Sequence, residues 1–572
     1  MSSVLKRVPR AHVCVALAAL VLYLPASWWG APHATAADRV QAWGVDDATP
    51  LGPLAEVQGL FVPSSERNLG YPILHPLLVA AAYGPYMLYL LMSGGFSHPS
   101  GGFPFGLIDP VTALRNLTVI AHLVSVLFGA GAVVAAFDAG CTLWDRRTGL
   151  LAAAFAAMSF PMFYYSRTGN VDVPVLFFTA AALAVFARCL AGEFTLARAL
   201  WLGLFGGCAL GIKETAMASF LALPFLLLWI QHRNSVAASG WVTLRFWKPP
   251  LASFASLVFA YGMGGSLFLD HERFLEHVQF VRQRMSALSG GEIAFFSAYP
   301  RTWEGNLALA RALWGCVMDS MTVSGALLAI AGLLWVLRRE PVKALFFVPA
   351  VTYTAMLFTS ARVVQLRYLL PVAFSLAFFA ARAITLALET RSRSLAGAFA
   401  LVACFSLALG FLRGADLTYA MLRDSRYAAA DWLRTRTAPG DLVEYFGPTQ
   451  KLPPLGHGVV TARAIVYLGA LRKPRTGPDA VEEILAGWKT RQPKFILGIP
   501  DHSSPPGYAD SATCPPAILE GLKEGRFGYR LAVQFETPPL FSWVRRPALD
   551  YPTVNPPIRI FARADAAQVI AP

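Results

Sequence analysis

Charge is scarce in this chain: Asp, Glu, Lys and Arg make up 14% of its 572 residues, against roughly 25% in an average soluble protein. An ordinary soluble enzyme is excluded by what stands in their place. Hydrophobic residues reach 56% and fall into repeated blocks, each near the roughly 20 residues that a helix needs to cross a bilayer. Cysteine is also sparse: seven residues are scattered along the chain, with Cys14, Cys141, Cys189, Cys208 and Cys404 in or beside apolar blocks and no C-x-x-C pair. That spacing excludes a disulfide framework and a cysteine metal site. No basic run interleaved with aromatics accompanies the net charge of +14, so nucleic acid is not the partner that the positive charge serves. No phosphate-cradling glycine motif is evident, which disfavours a nucleotide or nucleotide-sugar substrate. The lack of an internal repeat weakens a transporter built from inverted halves.

What is there is a polytopic membrane pattern. The apolar blocks run over 13 to 29, 114 to 137, 149 to 165, 173 to 190, 199 to 213, 215 to 231, 250 to 269, 319 to 337, 344 to 360, 368 to 388 and 395 to 412, about eleven expected spans. Lys6, Arg7 and Arg10 precede the first block and hold its start on the cytoplasmic side. Alternate threading then puts Arg146/Arg147, Arg188/Arg198, Arg233/Arg245/Lys248, Arg338/Arg339/Lys343 and Arg391/Arg393 inside as well. The first block is expected to be a retained anchor. Ala34-Thr35-Ala36 offers a rival signal-peptide site, and cleavage there would leave the remaining topology unchanged.

An odd count leaves loops 30 to 113 and 270 to 318 external, together with everything after residue 413. Residues 1 to 413 are therefore expected to be the membrane domain. Residues 414 to 572, richer in Pro, Gly and charge, are expected to be an external, periplasmic-type α/β domain. Its expected helices are 427 to 437, 480 to 490 and 518 to 524, and its strands 442 to 446, 494 to 499, 529 to 535 and 558 to 561.

The ionisable residues that interrupt the apolar blocks are the candidates for chemistry. Asp46 and Asp47 follow the first block in the segment Trp43-Gly44-Val45-Asp46-Asp47; a solvated turn or a helix cap would also explain them. Tyr71-Pro72-Ile73-Leu74-His75-Pro76 opens an apolar stretch to Met92 that reads as a surface-lying amphipathic helix. Arg167 and Asp172 lie at a membrane boundary, either as a neutralising pair at helix ends or as part of a site. Lys213-Glu214 forces a turn in what is otherwise one apolar run, and Arg362 and Arg367 precede Tyr368-Leu369-Leu370-Pro371 at an external helix end. External arginines suit an anionic ligand or lipid phosphate.

Taken in order, these features resemble the GT-C glycosyltransferases, in particular the protein O-mannosyltransferase and aminoarabinose-transferase-like group. The ordered set is an acidic pair after the first span, an H-P motif opening a surface helix and an R-x-x-x-x-D-x-P turn. A G-x-x-K-E motif and an R-Y-L-L-P start to a late span complete it. Asp109 to Arg115 and Thr148 to Ala152 are similar to the group's second and third spans. The acidic pair is Asp-Asp where the group commonly has Asp-Glu, which leaves open which carboxylate is the base. The second proline after His75 is replaced by Leu77.

The resemblance implies an all-α, GT-C-like membrane domain in a multi-pass cell membrane protein. It implies inverting transfer of a sugar from a polyprenyl-phosphate carrier to a lipid, glycan or protein acceptor on the external face. Asp46, Asp47 and Asp172 are the expected catalytic carboxylates. Arg367, Lys213, Arg167 and His75 are expected around the donor phosphate, with Glu214, Tyr368 and Arg362 as further substrate contacts. No soluble cofactor is required; a divalent metal, if one binds, would be expected on Asp46 and Asp47. A transporter or flippase of a lipid-linked or anionic solute is the alternative. A partner-binding scaffold without activity is the plainest third.

Overall fold

The computed structural model describes residues 10–44, 46–47, 50–62, 69–235, 244–289, 299–446, 449–464, 467–468, 473–474, 478–499, 514–547 and 554–567. Lys6 and Arg7 of the leading basic cluster lie outside them. Each of the eleven apolar blocks lies at least in part on helical backbone, with 24–29 and 265–269 turning out of their helices. Seven described helices are long and apolar enough to cross a membrane, or eight if one sharply bent pair counts as a single span.

The expectation of about eleven spans is not reached by that measure, and local causes are visible. Arg10–Tyr23 has 14 residues and Leu196–Ile212 has 17. The block at 149 to 165 is divided into Arg146–Ala157 and Phe160–Tyr165, with Pro161 starting the second piece. The block at 319 to 337 begins at a 104° bend between Trp303–Met321 and Val323–Arg339, where Thr322 has φ +69° and caps the second helix through Gly325 N. Leu74–Met92, read from sequence as a surface helix, is itself long and apolar enough to span.

Helix starts follow their sequence signals. Asp109 accepts from Thr112 N to cap Pro110–Leu143, whose first residue is proline, and Asp145 caps Arg146–Ala157 through Thr148 N; both satisfy backbone donors that the first turn leaves free. The central helix, Leu370–Glu389, is buried almost all round, as its apolar residues on every face require, and its one internal charge, Arg382, is paired with Glu340 and Glu389. Leu196–Ile212 lies against Leu244–Gly264 along Gly203, Gly207 and Gly211, four residues apart. A Cβ on Gly207 would stand 2.5 Å from the Leu257 carbonyl oxygen, so only glycine permits this approach.

After the long Arg393–Leu422 helix and Ser425–Arg434 comes a mixed sheet. Its strands are β1 Leu442–Tyr445, β2 Val460–Arg463, β5 Phe495–Gly498, β6 Tyr529–Phe535 and β7 Ile558–Arg563, in the order β2-β1-β5-β7-β6. β1 runs parallel to β2 and β5, while β7 is antiparallel to β5 and β6. Tyr467–Leu468 (β3) and Lys473–Pro474 (β4) form a separate antiparallel pair. One sheet face packs on Ala429 and Leu433, the other on Ile484, Trp488, Ile518 and Leu522. The three helices and four strands expected from sequence are present, and β2 and the short pair are additional.

Candidate active site

The acidic segment is held between the helical body and the C-terminal sheet. Thr35 Oγ1 donates to the Leu455 carbonyl at 2.9 Å, and the buried Arg39 reaches the carbonyls of Gly456 and Val459. Arg426 stacks over Trp43, with its guanidinium carbon 3.7 Å from the ring centroid, and forms a fully buried ion pair with Asp424 at 2.7 Å. Trp43 thereby fixes the backbone shortly before the two aspartates.

Asp46 and Asp47 then take different surroundings. Asp46 adopts φ +52°, a left-handed conformation that Asp tolerates better than most residues. Its carboxylate is 37% exposed and receives a hydrogen bond from Arg367 Nη1 at 2.5 Å. The Asp47 side chain is fully buried, 2.8 Å from His122 Nε2. A Cβ on Gly44 would stand 2.8 Å from Asp47 Oδ2, which explains a glycine at that point.

Arg367 lies in the turn Leu366–Leu369 that leads into the central helix, and its Nε donates to Gln365 Oε1 at 2.9 Å. The same Nη1 that holds Asp46 is 3.7 Å from Asp172 Oδ2. Asp172 begins the helix Asp172–Ala191, and its other oxygen receives Lys213 Nζ at 2.6 Å. Lys213 sits at the extended break after Leu196–Ile212, so the sequence interruption is what delivers its ammonium. The cluster Asp46, Arg367, Asp172, Lys213 alternates in sign. Tyr368 and Tyr71 bring ring faces 4.9 and 5.8 Å from the Lys213 ammonium. Burial, aided by the negative charge of Asp46, pushes the Tyr71 hydroxyl well above its usual range. A cleft lined by Asp172, Lys213, Thr215, Tyr353, Arg367 and Pro371 opens from the cluster. His75 is buried nearby, and its Nε2 has no hydrogen-bond partner among the described residues.

Three residues singled out from sequence do not converge on this point. Arg167 is fully buried and spends its guanidinium on the carbonyls of Leu22 and Tyr23 and on the Thr418 hydroxyl. It ties the first helix to Arg393–Leu422. Arg362 donates to the carbonyls of Tyr299, Pro300 and Phe358 and to Asn306 Oδ1. Glu214 turns to His277, beside a second buried pair in which Arg273 holds Glu56 at 2.7 Å. Burial pulls the His277 pKa down, but its hydrogen bond to Glu214 and that carboxylate's charge prevail, and the net shift is upward.

His122, absent from the residues picked out by sequence, is held through both ring nitrogens. Its Nδ1 lies 2.7 Å from the Ser27 carbonyl oxygen, which only accepts, so that nitrogen bears hydrogen. Nε2 faces the Asp47 carboxylate at 2.8 Å. Asp46 thus pairs with Arg367 and Asp47 with His122. Among the described residues no group of three or more His, Cys, Asp or Glu converges as a metal site.

The family model for dolichyl-phosphate-mannose-protein mannosyltransferase matches residues 107–247, the stretch that carries His122, Arg167, Asp172, Lys213 and Glu214. No curated protein matches the chain. Among solved structures, ArnT from Cupriavidus metallidurans bound to undecaprenyl phosphate is similar at 14% identity and a TM-score of 0.45, over 97% of this chain and 98% of that one. Archaeal oligosaccharyltransferase AglB from Archaeoglobus fulgidus, in complex with an inhibitory peptide and a dolichol-phosphate, is similar at 12% identity and a TM-score of 0.45, over 98% and 89%. Over residues 107–247, then, the chain is similar to the dolichyl-phosphate-mannose-protein mannosyltransferase family model.

Proposed function

We propose that the protein transfers a sugar from a polyprenyl-phosphate carrier to an acceptor on the external face of the membrane, with inversion at the anomeric carbon. The observation that carries this reading is the charge cluster, in which one guanidinium, Arg367, touches Asp46 and stands 3.7 Å from Asp172. An acceptor hydroxyl is a weak nucleophile, so a carboxylate must take its proton as the new bond forms. Asp46, the more exposed of the pair, is suited to that role. The acceptor oxygen bonds to the anomeric carbon, the bond from that carbon to the phosphate oxygen breaks, and the acceptor proton passes to Asp46.

Charge balance favours the same assignment. A polyprenyl-phosphate sugar carries one negative charge, and the departing lipid phosphate carries two. Asp46 loses its charge as the phosphate gains one, which frees Arg367 from its carboxylate partner when the leaving group needs a cation. Lys213 supplies the second fixed cation, held by Asp172 at 2.6 Å and buried, where such charges act strongly on a transition state. Tyr368 and His75 complete the wall around that phosphate. Arg167, Arg362 and Glu214 serve the frame that holds these groups.

The test is transfer of radiolabelled sugar by the purified protein from a panel of short-chain polyprenyl-phosphate sugars to membrane extracts, with nucleotide sugars in parallel. Label moving from a lipid-linked donor alone is expected. Movement from nucleotide sugar, or movement of intact carrier across proteoliposomes without sugar transfer, would overturn the reading.

A further inference from the structure

A second cationic cluster lies away from the acidic loop, where the C-terminal segment folds back on the Arg393–Leu422 helix. The outer face of that helix is apolar and uncovered: Leu401 is 72% exposed, Phe405 62% and Phe411 46%. Among the described residues of this helix beyond Phe411 and Arg413, the only exposed large apolar side chain is Leu422, at 39%. There the segment 537–547 is fastened to the helix end, with Thr537 Oγ1 donating to the Arg423 carbonyl and Leu540 N to Asp416 Oδ1 at 2.6 Å. Between these ties and Arg546 it presents Leu540, 45% exposed, and Trp543, 72% exposed. An exposed Trp and Leu at the level where a spanning stripe ends occupy the position of interfacial anchors.

The same place gathers Arg413, Arg545 and Arg546 with the carboxylates Asp319 and Asp416. Arg546 Nη1 is 3.5 Å from Asp416 Oδ2, an ion pair without a hydrogen bond. Nε and Nη1 of Arg413 and Nη1 of Arg546 are buried and have no hydrogen-bond partner among the described residues. Buried guanidinium donors require acceptors, and a phosphate supplies several oxygens in one group. We propose that segment 537–547 inserts into the lipid headgroup layer and that Arg413, Arg545 and Arg546 bind the phosphate of an anionic phospholipid there. The site is separate from the acidic cluster, and its occupant is a membrane lipid whatever sugar donor the protein uses.

The test uses delipidated full-length protein in neutral detergent, titrated with phosphatidylglycerol, phosphatidylcholine or inorganic phosphate and read by native mass spectrometry. Wild type is expected to retain phosphatidylglycerol preferentially, and Arg413→Gln/Arg545→Gln to lose roughly tenfold or more in affinity. Should the double variant fail to fold, the exposed Arg545→Gln alone is expected to show a smaller loss in the same direction. In proteoliposomes, brominated-chain lipid is expected to quench wild-type tryptophan fluorescence more than that of Trp543→Phe. Equal retention by wild type and Arg545→Gln, equal affinity for phosphatidylcholine or free phosphate, or identical quenching would each overturn the proposal.

Discussion

Asp46 and Asp47 are neighbours in sequence and opposites in circumstance. Asp46 is partly exposed and touches a cation, whereas Asp47 is buried against an imidazole. The proposed base is therefore Asp46, and Asp46→Asn is expected to lower kcat by about 10²-fold or more. Asp47→Asn keeps a polar partner for His122, so its kcat is expected to lie well above that of Asp46→Asn in the same assay. The reverse order would exchange their roles. Sequence alone did not separate the two, because the difference comes from His122, on another helix. One signal was available: His122 is a lone ionisable group within an apolar stretch and shares a helix face with Thr118 and Ser125, a pattern that marks a functional position in a span. His277 gives a residue-scale prediction about pH. Its folded-state pKa is raised, so the stability from its link to Glu214 is full below the unfolded value of about 6.5 and is lost as pH rises through the folded value. The Tm difference between wild type and His277→Gln is expected to shrink as pH rises from 6 to 9; a difference that grew would contradict the link.

At the scale of elements, the site depends on where helices stop. Lys213 reaches Asp172 because Leu196–Ile212 ends just before it, and that helix is set in place by its glycine face against Leu244–Gly264. Gly207→Ala would put a methyl group into the Leu257 carbonyl and is expected to cost about 1–3 kcal/mol through forced separation of the pair. Loss of thermal stability in detergent is the measurement; unchanged stability would show that the helices part freely. Helical positions were legible because each apolar block is long, and the turn at Lys213-Glu214 was legible because two charges interrupt such a run. The break between Arg146–Ala157 and Phe160–Tyr165 and the bend at Thr322 were not, since proline and threonine also occur within continuous spans. The contacts made by Arg167 and Arg362 were not legible for a related reason. An arginine near a helix end looks the same in sequence whether its donors face a ligand or, as here, backbone carbonyls of other segments.

For the whole molecule, the C-terminal sheet region acts as part of the frame of the acidic segment. Trp43 is stacked by Arg426 and packs beside Tyr427, while Arg39 and Thr35 bind the chain around Leu455 to Val459. Sequence composition led to the expectation of an α/β domain after residue 413, yet nothing in it pointed to this contact, whose two sides lie at opposite ends of the chain. Trp43→Ala is expected to lower kcat more than donor affinity, because it loosens the backbone before Asp46 while leaving Arg367 and Lys213 in place. The central claim is that Asp46 takes the acceptor proton while Arg367 and Lys213 hold the carrier phosphate. Its most direct test compares wild type with Asp46→Asn for both equilibrium binding of a polyprenyl-phosphate sugar and single-turnover transfer to acceptor. Retained binding with transfer reduced by about 10²-fold or more is the predicted result, and transfer at the wild-type rate by a correctly folded Asp46→Asn protein would contradict the account.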